Sequence, residues 1–151
     1  VLDAREMGVD LQCTLPEIPQ FVKFDRSKLR RVFANIINNA IKYRRQDTDS
    51  HLLITLRDSE HGVVLSFTDN GIGIQQKDTE KVFEGFYRSD PSRNSQIKGN
   101  GLGLSISRQI IHDHGGKIWI RSTLYEGTEV TILLPHAQKP MKEDTNEGTH
   151  N

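Results

Sequence analysis

Between Leu29 and Ala40, the apolar residues Leu29, Val32, Phe33, Ile36, Ile37 and Ala40 recur at spacings of three and four. That repeat is one stripe of an α-helix and cannot be one face of a strand. A helix with a single apolar stripe must lay it on another element, so the rest of the chain has to supply a partner layer. Asp25 or Ser27 supplies the side-chain oxygen expected at its start, and "QDTDS" ends it. The partner layer reads as strands. Val9, Leu11, Cys13 and Leu15 alternate with polar residues. "HLLITLR" and "GVVLSFT" are two strands around the turn "DSEHG", and "KIWIRST" and "TEVTILLP" form a last hairpin around "LYEG". "LGLSISRQIIHDH" reads as a helix ending at Gly115–Gly116, and "QKDTEKVFEGFYR" as a shorter one capped by Asp78 or Thr79. The order is strand, helix, two strands, helix, helix, two strands. It predicts an α+β fold: a two-layer sandwich, with a mixed, mostly antiparallel sheet of about five strands and about three helices on one face.

Length and composition allow one such domain. Of 151 residues, 34% are hydrophobic and 26% charged, which suits a water-exposed surface around a modest core. Twenty basic residues offset twenty acidic ones, so no net field draws the chain to nucleic acid or to an anionic membrane. The lone cysteine, Cys13, has no partner for an internal disulfide and reads as a small apolar strand residue. No apolar run approaches the length of a membrane span. The domain is expected to occupy residues 1–135. Residues 136–151, "HAQKPMKEDTNEGTHN", have almost no apolar content and are expected to be a disordered polar tail. The sequence opens without a Met, in mid-strand character, and reads as a piece of a longer protein.

Three segments carry more polar chemistry than folding needs. In "NIINNAIKYR", Asn35, Asn39 and Lys42 stand at i, i+4 and i+7, one narrow stripe bordering the buried one. Asn is a mediocre helix former. Its amide oxygen can meet a hard cation, and a lysine supplies a point charge for phosphate. A solvated helix face with chance asparagines is the competing reading. "DNGIGI", at 69–74, directly follows an apolar strand. Its glycines allow a tight bend and a close approach to a ligand, and Asp69 could accept from an exocyclic amine. An ordinary turn remains possible there, and the spacing is not that of the dinucleotide fingerprint. "KGNGLGL", at 98–104, sets three glycines at alternate positions before a helix, whose first N–H groups and dipole suit an anion. The alternative is a plain hinge. In "VFEGFYR", Phe83, Phe86 and Tyr87 read as core, while Arg88 could be a surface charge or a phosphate contact.

Taken in order, "NIINNAIKY", "DNGIGI", "VFEGFYR" and "GNGLGL" resemble the four nucleotide-binding boxes of the catalytic domain of sensor histidine kinases. That family is shared with gyrase B, the Hsp90 chaperones and MutL. The resemblance runs from about residue 9 to 135 and includes "HGGKIWIRS" and "EGTEVTILLP". It implies ATP and Mg²⁺ as cofactors. By similarity, Asn39 holds the Mg²⁺ that grips the phosphates, Lys42 contacts phosphate, and Tyr43 lies along the nucleotide. Asp69 reads the adenine amine, Gly71 and Gly73 let the backbone pass under the base, and Ile74 packs on it. Gly99, Gly101, Leu102 and Gly103 resemble the hinge and the phosphate-binding helix start. Residues 89–98, with Lys98, resemble a mobile ATP lid, and Arg88 stands where a basic residue often lies near the phosphates. Arg44 departs from the Thr or Ser frequent at its position, and the lid is short.

The resemblance also sets the expected reaction. ATPase members carry a glutamate where this chain has Asn35. An amide cannot take a proton at neutral pH, which argues for transfer of the γ-phosphoryl group to a histidine over hydrolysis, with Asn35 polarising or orienting the acceptor. None of the six histidines lies in an acceptor motif; His112 and His114 are expected at the surface. The implied partners are ATP and ADP, separate dimerisation helices bearing the phosphoacceptor, and a response regulator, with no nucleic acid and no direct membrane contact. A monomeric cytoplasmic domain of a membrane-anchored bacterial parent is expected. A degenerate nucleotide-binding module, a gyrase- or chaperone-like ATPase and an anti-sigma-type serine kinase are the competing functions.

Overall fold

The computed structural model describes residues 4–84 and 102–137. Among the described residues, five strands and two α-helices follow the expected order: β1 (Val9–Thr14), α1 (Arg26–Lys42), β2 (Ser50–Ser59), β3 (Gly62–Asp69), α2 (Leu102–Asp113), β4 (Lys117–Thr123) and β5 (Gly127–Leu134). The sheet runs β1-β2-β3-β5-β4. β1 pairs parallel to β2, and the other three pairings are antiparallel. The parallel pair is possible because α1 carries the chain back between β1 and β2. This is the open, mixed α+β sheet with helices on one face that the periodicities require.

The helix-facing side of the sheet is built in rows. Leu56, Leu65, Ile132 and Ile118 are register partners, and so are Ile54, Phe67, Val130 and Ile120. Against them lie Val32, Ile36, Ala40 and Ile41 of α1, and Ile110 and Ile111 of α2. Phe33 tilts over Phe67 with ring centroids 5.5 Å apart. Asp25 is the N-cap of α1; its carboxylate accepts from the Lys28 amide, which holds the carboxyl below its ordinary range. α2 ends in a Schellman turn: Gly116 N donates to Ile111 O and Gly115 N to His112 O.

Three expectations need adjustment. Residues 76–83 do not form one continuous short helix; they make two 3₁₀ turns, Gln76–Asp78 and Lys81–Phe83. Phe83 is buried there beneath the Arg108 guanidinium, as a core aromatic should be. Leu15 falls one residue past the end of β1 and is exposed; Cys13 lies within β1, as expected, and is exposed too. His114 is not a surface residue. It is half-buried and stacks on Phe24 at 3.6 Å, accepts from the Asp25 amide at Nε2, and donates from Nδ1 to Ile110 O. That clamp joins the start of α1 to the end of α2. Past β5, His136 bonds Asp58, and Ala137 N donates to Phe21 O. Residues 138–151 lie outside the described residues. No helix among the described residues is long and apolar enough to cross a membrane.

Candidate functional site

Alternation carries the helix-facing rows one step past the core, and there the residues change character. Leu52, Asp69, Thr128 and Ser122 are register partners in this last row. Three polar side chains thus stand where the apolar rows stop, at the end of the sheet where β3 passes into the bend 69–74. α1 delivers its C-terminal end to the same place. The Tyr43 carbonyl accepts from Ile72 N at 2.9 Å, which ties the helix end to the bend.

The bend is shaped by contacts that only glycine permits. A Cβ on Gly71 would lie 2.7 Å from the Tyr43 carbonyl oxygen. Gly73 has φ +73°, and its Cβ would overlap the Thr123 carbonyl. Ile74 N donates to Ser122 Oγ at 2.7 Å, and Tyr125 N to Ile72 O, so the β4–β5 hairpin holds the far side. Arg45, paired with Asp47, donates to Tyr125 O at 2.8 Å and fastens the hairpin tip to the segment after α1.

Asp69 is the charged centre of this frame. Its Oδ1 accepts from Gly71 N at 2.9 Å and from Thr128 N at 3.3 Å. Burial pushes its carboxyl above the ordinary 3.8, against the opposing pull of those two amides. Both backbone donors fall on the same oxygen, Oδ1. On α1, Asn39 is half-buried and the Lys42 ammonium is buried, 5.5 Å from the Tyr43 ring centroid. Asn35 sits further back and donates from Nδ2 to Ser107 Oγ of α2 at 3.3 Å; Ser107 is fully buried. Asn35 thereby links the two helices.

The structure therefore places Asn35, Asn39 and Lys42 on one helix with Tyr43 as its C-cap, and brings the end of that helix to Asp69, Gly71, Gly73 and Ile74. Leu102 and Gly103 open α2. Arg88, Lys98, Gly99 and Gly101, with the 89–98 segment read as a lid, lie outside the described residues. Sequence reasoning overlooked Ser122 and Thr128. Their signal was present in strand alternation: once Asp69 is placed on the helix-facing side, its register partners inherit that side. The cation fit is of a particular kind. Among the described residues no three His, Cys, Asp or Glu side chains form a metal cage. A neutral amide such as Asn39 suits Mg²⁺, which keeps most of its coordination shell as water and phosphate oxygen.

Known proteins share both the sequence pattern and the fold. Residues 24–138 match the family profile described as histidine kinase-, DNA gyrase B-, and HSP90-like ATPase. The sensor histidine kinase WalK of Bacillus subtilis is 38% identical over 135 residues, 89% of this chain and 22% of that protein. The sensor protein kinase WalK of Staphylococcus aureus is 36% identical over 138 residues, 89% of this chain and 33% of that protein. The chain thus spans between about a fifth and a third of the length of these relatives. Among solved structures, the catalytic domain of histidine kinase ThkA superposes with a TM-score of 0.72 at 30% identity, covering 88% of this chain and 82% of its own. The mycobacterial sensor histidine kinase MprB gives 0.73 at 30% identity, covering 91% and 88%. Full-length ShkA in complex with AMPPNP gives 0.74 at 26% identity, covering 89% of this chain and 27% of its own.

Proposed function

The chain belongs to the histidine kinase-, DNA gyrase B- and HSP90-like ATPase family, and from that footing we propose that it binds Mg-ATP in the cleft at the end of α1 and is the catalytic domain of a protein-histidine kinase. The observation that carries the proposal is the convergence of the α1 terminus, the 69–74 bend and the β4–β5 hairpin on one carboxylate, Asp69, with both backbone amides bonded to the same oxygen. That arrangement suits a base with an exocyclic amine. Asn39 and Lys42 lie on the same helix on the phosphate side, where an amide oxygen would meet Mg²⁺ and the ammonium a phosphate oxygen. When bound, Mg²⁺ would neutralise charge on the phosphates. What this chain's own residues do is bind, orient and exclude water.

Asn35 decides between transfer and hydrolysis. Its amide has no basic site to take a proton from water, and its Nδ2 is engaged with Ser107. A histidine imidazole needs no such base, since it is nucleophilic when neutral. The acceptor is proposed to lie on dimerisation helices of the parent protein, from which a response regulator would receive the phosphoryl group. A cytoplasmic domain of a membrane-anchored parent fits this role. The chain, γ-labelled ATP and the parent's dimerisation helices should together yield acid-labile, base-stable label on the helices. Steady release of free phosphate with no labelled helices would instead favour an ATPase. Asn39→Ala should weaken Mg-ATP binding by about tenfold or more while leaving metal-free ATP binding nearly unchanged; equal Mg-ATP binding by variant and native chain would remove Asn39 from the cation site.

A further inference from the structure

Ser122 has more partners than one hydroxyl can treat alike, and counting protons gives each a role. Its Oγ lies 2.7 Å from Ile74 N, 2.9 Å from Gly127 O and 2.8 Å from Thr128 Oγ1. A serine hydroxyl has one proton and two lone pairs. Ile74 N–H can only donate, so it takes one lone pair. The Gly127 carbonyl can only accept, so it takes the proton. Thr128 must then donate into the remaining lone pair. The opposite assignment would set the Gly127 carbonyl against an oxygen with no proton to offer.

Thr128 has a single proton too, and Ser122 has claimed it. What Thr128 turns to its surroundings is an oxygen able only to accept. Thr128 is the register partner of Asp69. Asp69 Oδ1 is occupied by the Gly71 and Thr128 amides, which leaves Oδ2, another acceptor, for a ligand. The base side of the cleft is therefore lined by two neighbouring acceptors. A purine with an amine at its six position offers the donors they need. A 6-oxopurine presents a carbonyl to them, and acceptors facing an acceptor in a partly buried site are costly.

We propose that Ser122, by fixing the direction of the Thr128 hydroxyl, is a positioning residue for base selection and makes the site prefer a 6-aminopurine nucleotide to a 6-oxopurine one. The proposal rests on the nucleotide-binding reading above. Ser122 acts through Thr128 and need not touch the ligand.

The test is calorimetric titration of Mg-ATP and Mg-GTP into the native chain, Ser122→Ala, Ser122→Thr and Thr128→Val. In Ser122→Ala the Thr128 proton is released and can turn to meet a carbonyl. The ATP-to-GTP affinity ratio should fall roughly tenfold, the contribution of one neutral hydrogen bond. Ser122→Thr keeps the hydroxyl and should keep the ratio. Thr128→Val, with no hydroxyl to direct, should lower the ratio by a similar factor, and adding Ser122→Ala to it should lower the ratio no further. Equal weakening of both nucleotides in Ser122→Ala would mean a purely structural role and overturn the proposal. Should Ser122→Ala fail to fold, an unchanged ratio in Thr128→Val would overturn it instead. A native chain that binds neither nucleotide would remove the nucleotide-binding reading and this inference with it, whereas native ATP preference with unaltered variants removes the inference alone.

Discussion

Asp69 carries a conflict between fold and site. Burial raises its carboxyl, and the amides of Gly71 and Thr128 only partly offset this. A folded-state pKa above the unfolded one means the native chain holds that proton more tightly. The group therefore favours the fold at acid pH, and its contribution is lost as pH rises from the ordinary carboxyl range through the raised value. At neutral pH the ionised form opposes folding, yet it is the form an amine needs. Asp69→Asn should thus be neutral or stabilising in a urea titration at pH 7, while nucleotide affinity falls by roughly a hundredfold, the scale of a lost charge-assisted hydrogen bond. In the native chain, binding should weaken on acidification at a higher pH than an ordinary aspartate would give. A variant that loses stability as well as affinity would show that the carboxylate serves the bend more than the ligand.

The two ends of α1 meet different surroundings. Around α1, Asp25 and the Phe24–His114 stack fix the start, while the end carrying Lys42 and Tyr43 meets the 69–74 bend. His114→Phe would keep the stack but lose the acceptor for Asp25 N and the donor to Ile110 O. The expected cost is about 1 kcal/mol, since water can replace part of what is lost, read as a lower urea midpoint with nucleotide affinity unchanged. Reduced affinity at unchanged stability would contradict the division. This division also marks the limit of what sequence reveals. The period of three and four in 29–40 and the alternation in each strand give element type and order, because burial of one face dictates both. Asn35, Asn39 and Lys42 stand out because asparagine has no folding reason to recur on a helix. His114 was hidden because its partner Phe24 lies far away in sequence, and histidine is equally at home on a surface. Residues 76–83 look helical by composition, but they form two single 3₁₀ turns.

At the scale of the molecule, one end of the sheet, one helix end and one hairpin tip meet where the hydrophobic rows stop. Strand register does most of this work: the row that ends the core is the row holding Asp69, Thr128 and Ser122. Such placement is long-range, so Thr128 and Ser122 became visible only with the sheet order known. The central claim is that these segments form a single nucleotide site. It is tested most directly by following backbone amide resonances while Mg-ADP is titrated into the labelled chain. Amides of Asn39–Tyr43, of Gly71–Ile74 and of Thr128 should shift together along one saturation curve, with those around Phe24 and His114 unmoved. Shifts confined to one of the three segments, separate saturation curves, or none at all would contradict it.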